Sequence, residues 1–414
     1  MIRTHHVSLA APLAVFSTFL SATAAQTVHV LDLQTPGLTK ALQNTVNAAA
    51  DGDIIVVKPG SWFYPPLTID GKSLTVVADM GGSLQLSSVA VQNVPAGHRV
   101  VLRGLKAVAN TDDLTPTVLV KDCAGTVWIE DSDLRVVRFS GGPTDTVRVV
   151  NSAAVFITRS TLAPNPTGGL ATEGSGLVVT NSDVSLFGCI CAGGQGMTGS
   201  GVPFPGTQGG TAVRVVSGSL FASGTGMIGG PGGVSPYIGG AGGPGGTALE
   251  VGGSALLRDC TLIPGVGGSA PLGTGGPPGV ASVVLPGGSL TTSAVPARYF
   301  AADSPVRELQ AASFSFAGVP GENAAILVSL DPAAGPPINF FDATLVVSLG
   351  AVIDAVGFGV IPPSGNLAAT FQEAALPPSV QGVNVFLQSF FFDLSVPTLV
   401  LGPGSQQLLL DSSF

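Results

Sequence analysis

Short runs of alternating hydrophobic and polar residues recur along most of the chain. Five of these runs align without a gap, and each is an alternating strand followed by turn residues. They are Val118–Cys123, Val147–Ser152, Leu177–Ser182, Val213–Gly218 and Leu249–Ser254. Looser copies begin near Leu67, Val89 and Val283, and successive copies start 22 to 36 residues apart. This spacing is typical of a repeat protein whose units pack only on their neighbours.

A second strand follows the first in most repeats, as in Val127–Leu134, Val155–Leu162 and Ala255–Leu262. Two or three short strands in each repeat indicate one coil of a parallel β-helix, with coils stacked about 4.8 Å apart. The predicted fold class is therefore all-β, with about eight coils. Alternate residues of the first strands should point into a shared core, namely Val147, Val149, Leu177, Val179, Val213 and Val215.

A helical pattern precedes the repeat. Thr39 is followed by apolar positions such as Leu42 and Val46, which are spaced as one face of a helix. The turn at Asp51–Asp53 ends this pattern, and the strand Ile54–Val57 follows. We predict a helix over residues 39–50 that covers the open edge of the first coil.

The repeat stops at about Ser304, and the remaining chain has shorter alternating runs separated by proline and glycine. These runs are Ala325–Leu330, Ala343–Leu349, Val383–Phe392 and Gln407–Leu410. They predict a small antiparallel β-sandwich over residues 304–414. The terminal Phe414 also suits an outer-membrane barrel, but such a barrel needs at least eight strands of about 9 to 11 residues, and prolines interrupt this segment.

The first 25 residues predict a secretory signal peptide. Arg3 supplies a positive start, Val7–Ala25 carries no charge, and small residues at Ala22–Ala25 offer a cleavage site. A membrane anchor is the alternative, which Pro12 and the small-residue end disfavour. We therefore expect a secreted or cell-surface protein without a membrane span in the mature chain. Its domains would be the signal peptide, a β-helix over residues 26–303 and the C-terminal module.

Glycine and proline are unusually abundant, with 58 and 32 residues, about twice their usual share. This composition excludes a helical bundle, and the lack of a Gly-x-y period excludes collagen. Much of the glycine lies in three inserts, Ala192–Gly210, Gly226–Gly246 and Gly265–Gly279, which should leave the coil at one turn and lie side by side. Two interpretations stay open: flexible solvated loops, or a packed binding platform that carries Phe204 and Tyr237.

The charged residues are few, and the net charge is −9. A chain of this charge does not suit nucleic acid, which asks for clustered Lys and Arg. Aligning the repeats places opposite charges beside one another on successive coils, and we expect these pairs to be exposed and to add little stability. The pairs are Arg103–Glu130, Lys106–Asp133, Asp131–Arg159 and Arg214–Glu250. Asn151 and Asn181 should also stack on successive coils.

The four cysteines do not have the spacing of a zinc site. Cys189 and Cys260 occupy equivalent positions two coils apart, which is about 9.6 Å, whereas a disulfide needs Cα atoms within about 7 Å. Cys123 belongs to a different turn, and Cys189 and Cys191 are too close in sequence to be joined without strain. We predict at most one disulfide, and none as the simplest outcome.

The run Ala48–Trp62 resembles the opening of right-handed β-helix proteins of the pectin-lyase-like superfamily, and Leu67–Val77 is similar to their first coil. The resemblance covers about residues 38–300 and implies a right-handed parallel β-helix. That superfamily includes lyases, hydrolases, epimerases and non-enzymatic surface proteins, so the resemblance does not imply one activity. The ending, residues 376–414, resembles C-terminal modules on large secreted proteins of environmental bacteria.

Polyuronate lyases of this fold need acidic side chains that hold Ca²⁺ and an Arg or Lys that takes a proton. Trp128–Asp131 superficially resembles a Trp-Ile-Asp-His stretch of pectate lyases, but no His follows, and no Arg-x-Pro-x-x-Arg motif occurs. The candidate residues for binding a glycan or Ca²⁺ are Asp112, Asp113, Lys121, Arg135, Arg138 and Arg159. Catalytic residues are not identified.

The first functional prediction is a secreted, non-catalytic β-helix protein for surface structure, adhesion or glycan binding, with an extracellular polysaccharide or cell-surface component as its partner and no cofactor. The alternative is a polysaccharide lyase or glycoside hydrolase that acts on an extracellular glycan, with Ca²⁺ if the glycan is a polyuronate. A third interpretation, an autotransporter-like passenger, is weakened by the short C-terminal segment. We expect no cleavage of polygalacturonate or alginate.

Overall fold

The structure is a computed structural model that describes most of the chain after residue 25. The described residues are 26–32, 40–60, 65–109, 115–136, 144–164, 174–199, 205–237, 239–271, 273–333, 344–395 and 398–414. The predicted signal peptide and five residues singled out from the sequence lie outside them, namely Thr39, Asp112, Asp113, Arg138 and Phe204. Within these ranges the structure holds no helix with the length and apolar character that a membrane crossing requires.

The described residues between Val28 and Ser293 form a parallel β-helix with three sheets. Sheet 1 has ten strands: β1 (Val28–Leu31), β2 (Ile54–Val57), β4 (Leu74–Ala78), β7 (Arg99–Arg103), β10 (Thr126–Glu130), β13 (Ala154–Thr158), β16 (Ser182–Phe187), β19 (Gly218–Ser223), β22 (Ser254–Arg258) and β25 (Ser289–Ser293). Sheet 2 has eight: β3 (Leu67–Asp70), β6 (Val89–Gln92), β9 (Val118–Lys121), β12 (Val147–Val150), β15 (Leu177–Thr180), β18 (Val213–Val215), β21 (Leu249–Val251) and β24 (Ser282–Val284). Sheet 3 has seven: β5 (Leu84–Leu86), β8 (Leu105–Ala109), β11 (Asp133–Val136), β14 (Thr161–Pro164), β17 (Ile190–Ala192), β20 (Gly226–Ile228) and β23 (Thr261–Ile263).

The predicted repeat is confirmed in sheet 2. The five aligned segments supply β9, β12, β15, β18 and β21, which are parallel neighbours in the predicted register. The six residues expected to point inward are all fully buried. The last copy begins at Ser282, one residue before the predicted start, because Leu249 pairs with Ser282.

Asparagine and aspartate form the turn that follows each of four strands in sheet 2. Asn93, Asp122, Asn151 and Asn181 adopt φ values of 57°, 54°, 50° and 47°, a left-handed conformation that these residue types tolerate best after glycine. The Asn181 amide donates to Asn151 Oδ1 at 3.1 Å, and the Asn151 amide donates to Asp122 Oδ1 at 2.9 Å. The predicted stacking of Asn151 on Asn181 is therefore confirmed.

Helix α1 (Ala41–Ala48) covers the start of the stack, as predicted, but is shorter than residues 39–50. Lys40 occupies the N-cap position and gives no side-chain cap. Leu42 and Val46 are buried in the core of the β-helix. The Gln43 side chain accepts from Thr68 N at 2.7 Å and donates to Thr68 O at 2.9 Å. It therefore supplies hydrogen-bond partners to the backbone of β3 at the outer edge of its sheet. This is how the helix protects an edge that another chain would otherwise pair with.

The C-terminal module contains two further sheets that pack face to face around a phenylalanine-rich core. One sheet has β26 (Tyr299–Ala302), β28 (Ala311–Ala317) and β31 (Asn366–Gln372); the other has β27 (Val306–Arg307), β29 (Asn323–Ser329), β30 (Val352–Val360), β32 (Gly382–Asp393) and β33 (Thr398–Leu410). All pairs are antiparallel except β27 with β33. The predicted sandwich is confirmed, and its first strand starts at Tyr299, before residue 304.

The predicted strand over residues 343–349 does not form within residues 344–349. The structure gives this segment one isolated bridge, at Val347, and a 3₁₀ turn at Leu349–Ala351. Its apolar side chains serve another purpose, because Val346 and Val347 are buried against sheet 1. The Val346 backbone N–H donates to Gln388 Oε1 at 3.0 Å, so a side chain replaces the usual strand partner.

The module packs on the outer face of sheet 1. Trp128 on β10 contacts Phe156 and Phe386, with ring centroids 5.3 and 5.6 Å apart. Leu408 and Leu410 pack on Val28, Ile54 and Val56 at the start of the stack. Strand β10 is consequently buried at every position, which is the pattern of a sheet covered on both faces.

The predicted charge pairs are neighbours on successive coils, but the expectation that they are exposed is wrong for Arg103–Glu130. In the other pair beside sheet 1, Asp131 is exposed and Arg159 is largely covered. Arg103 and Glu130 are register partners 3.2 Å apart, and both are buried. The module covers this face, which the alignment of repeats could not show. On sheets 2 and 3, Arg214 lies 2.9 Å from Glu250 and remains half exposed, and Lys106 is the register partner of Asp133.

Glu130 lies at the centre of a buried ion cluster between the two domains. Its carboxylate is fully buried and pairs with Arg103 and Arg159. It also accepts hydrogen bonds from Trp128 Nε1 at 2.6 Å and from the backbone of Gln406 at 2.8 Å. Burial opposes ionisation of the adjacent Asp131, yet Arg103 and Arg159 hold its pKa below the usual range.

Replacing this carboxylate should weaken the whole structure. Glu130→Gln leaves Arg103 and Arg159 buried with less compensating charge, and we expect the free energy of unfolding in a denaturant titration to fall by about 3 kcal/mol. Glu250→Gln is the matched control, because it removes one half of an exposed pair and should cost less than about 1 kcal/mol. Equal losses in the two variants would contradict the assignment of Glu130 as an interdomain anchor.

Candidate binding surface

The three glycine-rich inserts leave the β-helix at the same corner, between sheet 3 and sheet 2. Each insert runs outward as one extended segment and returns as another, so the three inserts build two layers of three segments. We call this layered structure the glycine platform; it consists of residues 192–199, 205–212, 228–235, 241–248, 263–270 and 274–281. The prediction that the inserts lie side by side is confirmed.

The expectation that the chain has no Gly-x-y period is wrong for these inserts. Within the platform glycine recurs locally every third residue, as in Gly229-Gly230-Pro231 and Gly232-Gly233-Val234, although no such period runs through the chain as a whole. Three residues per turn is the period of the polyproline II helix, which has no hydrogen bonds of its own. Its N–H and C=O groups must therefore bond to neighbouring segments or to water. The repeated glycines allow hydrogen bonds between neighbouring segments, because a residue without a side chain lets two backbones approach closely.

Backbone hydrogen bonds join each platform segment to its neighbours. Within the outgoing layer, Gly196 N donates to Pro231 O and Gly232 N to Val266 O, both at 2.8 Å. Between the layers, Gly243 N donates to Gly233 O at 2.8 Å. This network supports the packed interpretation of the inserts over that of loops whose backbone groups bond to solvent.

At Gly230 and Gly233, inside the platform, only glycine fits. A Cβ atom on Gly233 would lie 1.9 Å from Met197 O, and one on Gly230 would lie 1.9 Å from Gly194 O. These neighbours are backbone atoms of segments fixed by the β-helix, so they cannot move aside. Gly275, in contrast, lies on the exposed end of the platform, where the nearest atom to an added Cβ is 3.6 Å away.

The third residue of each turn points outward and gives the outgoing layer a regular face. Strand register and hydrogen bonds align these outward residues of the three outgoing segments in three rows. The rows are Ala192, Ile228 and Ile263; Gln195, Pro231 and Val266; and Thr198, Val234 and Ser269. Positions in a row are about 4.8 Å apart, and rows are about 9.3 Å apart. All nine side chains are uncharged, and Val266 is the most exposed of the large apolar ones at 68%.

Tyr237 lies beyond the second outgoing segment, at the far end of the platform. Its side chain is 42% exposed, and its carbonyl accepts from Gly240 N at 3.1 Å in the turn that starts the return. Tyr237 therefore exposes one aromatic ring at the far end of the platform.

The described candidate residues for glycan or Ca²⁺ binding do not converge on one site. Lys121 ends β9 on sheet 2 and lies 3.5 Å from Asp122. Arg135 is on β11 of sheet 3 and donates to Asp133 at 2.7 Å. Arg159 follows β13 of sheet 1 and lies under the C-terminal module. Nowhere in the described ranges do three His, Cys, Asp or Glu side chains come together as a metal site would require.

The four cysteines are free and belong to the interior of the β-helix. Strand register places Cys189 and Cys260 at equivalent positions two coils apart, as predicted, with Thr225 between them. Burial raises the pKa of the Cys189 thiol to about 11. These thiols are packing residues, since a reactive cysteine requires a lowered pKa and access to solvent.

Comparison of the chain with models of protein families, with curated proteins and with solved structures gave no match. The fold therefore rests on the three parallel sheets and the antiparallel module themselves.

The platform should tolerate a methyl group at its end but not in its interior. We expect Gly233→Ala to lower the free energy of unfolding by about 1–3 kcal/mol, because the new Cβ overlaps a fixed carbonyl. Gly275→Ala is the control, with an expected change within about 0.5 kcal/mol. Hydrogen exchange should also accelerate at Gly196 and Gly232 in the Gly233 variant alone. Unchanged exchange there would contradict the hydrogen-bonded platform.

Proposed function

We propose that this chain is a non-catalytic protein of the cell exterior that adheres to a neutral glycan surface through the outgoing face of the glycine platform. The observation that carries this proposal is the uncharged grid of side chains on a backbone fixed by hydrogen bonds. The export of the chain, and its place among right-handed β-helix proteins of the pectin-lyase-like superfamily, belong to the same proposal.

The order of the platform favours binding to an extended partner. Association is opposed by the ordering of loops and side chains. Here the backbone is already ordered, and the grid is rich in proline, valine and isoleucine, which lose little rotamer freedom. A repeating surface also lets many weak contacts form at once, which raises the overall affinity. A polysaccharide ribbon presents C–H faces and hydroxyl edges at regular intervals and so suits these rows of apolar, hydroxyl and amide side chains.

The charge distribution favours a neutral glycan over a polyuronate. The net charge of −9 repels a polyanion. Three arginines in the first coils already have acidic partners: Arg148 lies 2.6 Å from Asp145, Arg135 lies 2.7 Å from Asp133, and Arg159 is held by Glu130. A lyase needs cationic groups that are free to face the substrate carboxylate.

A binding assay with platform variants tests the proposal. The protein would be mixed with insoluble cellulose and chitin, and separately with polygalacturonate and alginate with and without Ca²⁺, while bound protein and new unsaturated products are measured. We expect retention on a neutral glycan, no cleavage, and at least a tenfold loss of affinity in Val266→Asp. The control Val360→Asp changes a valine of β30 that is 55% exposed, and it should bind as the wild type does.

Two results would overturn the proposal. Unsaturated products from a polyuronate would establish the lyase alternative in its place. Equal binding by the wild type and by Val266→Asp, with the thermal midpoint unchanged, would show that the glycan does not contact this face.

A further inference from the structure

The C-terminal module encloses an apolar cavity between its two sheets. The cavity has a volume of about 110 Å³ and is lined by inward side chains from both sheets, including Phe314, Ile326 and Leu387. It reaches the surface beside Gln372 and Ala375, which are exposed. An apolar cavity of about 150 Å³ holds a whole benzene ring. This cavity is smaller but open on one side, so it suits a short alkyl chain or a small ring that projects partly through the opening.

Three phenyl rings meet on one wall of the cavity. Phe358 lies 5.4 Å from Phe314 and 5.1 Å from Phe371, and Phe314 lies 5.7 Å from Phe371, measured between ring centroids. Phe358 and Phe371 come from β30 and β31, which are edge strands of opposite sheets. Aromatic rings attract cations through their negative faces, and clusters of such rings recognise organic ammonium groups.

A carboxyl group, Glu373, also faces the cavity. Within the described residues, its side chain makes one hydrogen bond, from Gln407 Nε2 at 3.1 Å to Oε1. Burial raises its pKa to about 7. Asp354 is the other titratable residue of the lining, and no basic side chain contributes to it. The cavity therefore combines apolar walls with acidic groups that lack a counterion.

We propose that this cavity binds a small organic ammonium ion, with its charged group at Glu373 and its ring or alkyl chain among the three phenylalanines. An anionic ligand would meet two carboxyl groups and no cation. A neutral ligand would fill the apolar space but would gain nothing from the carboxylate or from the cation–π contacts. The site lies apart from the platform, so its occupancy does not depend on glycan binding.

Binding should strengthen as the pH rises through about 7. Glu373 has a raised pKa, so it is neutral below that value and charged above it, whereas an alkylammonium, like lysine, keeps its charge over this range. Asp354 also lines the cavity and accepts from Ala355 N. On the adjoining segment, Glu308 accepts from Leu376 N, and the Arg307 guanidinium is held by Asp79. None of these neighbours supplies a cation to Glu373.

Calorimetric titration with three ligands of one shape tests the proposal: benzylamine, benzyl alcohol and benzoate. We expect benzylamine to bind at pH 8 at least tenfold more tightly than benzyl alcohol, benzoate not to bind, and the benzylamine affinity to fall several-fold at pH 5.5. Glu373→Gln should lower that affinity at least tenfold at pH 8 and remove its pH dependence. Glu308→Gln, a neighbouring carboxylate outside the cavity lining, is the control and should behave as the wild type.

The benzyl alcohol arm keeps the test decisive if the variant alters the cavity. Unchanged alcohol binding in Glu373→Gln shows that the cavity survives, and the loss of amine binding is then due to the carboxylate. Equal affinity for amine and alcohol in the wild type would overturn the proposal in favour of a simple apolar cavity. Absence of binding by all three ligands would overturn it outright.

Discussion

The arrangement of the two domains depends on one buried carboxylate. Glu130 forms ion pairs with Arg103 and Arg159, which lie on the coils on either side of it. Its carboxylate also accepts hydrogen bonds from Trp128 on its own strand and from Ser405 and Gln406 of the module. Removing a carboxylate from water costs several kcal/mol, and that cost is offset only when its lone pairs are all satisfied. Here they are satisfied only if three coils and strand β33 occupy their observed positions. The carboxylate thus stabilises the contact between the module and the stack, and it also determines where on the stack the module lies.

The position of the module determines which surfaces remain for function. The β-helix has three sheets, and the module covers sheet 1. The inserts emerge at the corner between sheets 2 and 3, which is the corner opposite sheet 1. The glycine platform is therefore directed away from the module, and the cavity near Glu373 belongs to a separate part of the molecule. Two binding surfaces of different chemistry can then act without obstructing one another.

The sequence predicts the coils well because sheet 2 has one buried face. Val147 and Val149 are inside and Arg148 outside, so alternation reveals both strand and register. On sheet 1 the same reasoning fails, because β10 is buried on both faces, whereas the charge of Glu130 predicts a solvated position. Strands β28 and β31 were missed because alanine and serine weaken their alternation. Of the candidate charged residues, Lys121 lies on sheet 2, Arg135 lies on sheet 3, and Arg159 follows a strand of sheet 1, a separation that only the three-dimensional winding shows.

The sequence of one glycine-rich insert does not show whether that insert is ordered, because its order depends on the neighbouring inserts. Glycine loses more conformational freedom on ordering than any other residue, so a single glycine-rich insert has no means of offsetting that loss. The β-helix delivers three inserts in register at about 4.8 Å, the distance at which extended backbones hydrogen-bond. Gly196 then donates to Pro231 and Gly232 to Val266, and each of these bonds is one of three that the outgoing layer makes across the same coil boundary. The order of the platform is therefore a property of the stack, and the outward rows inherit their spacing from the sheets beneath them.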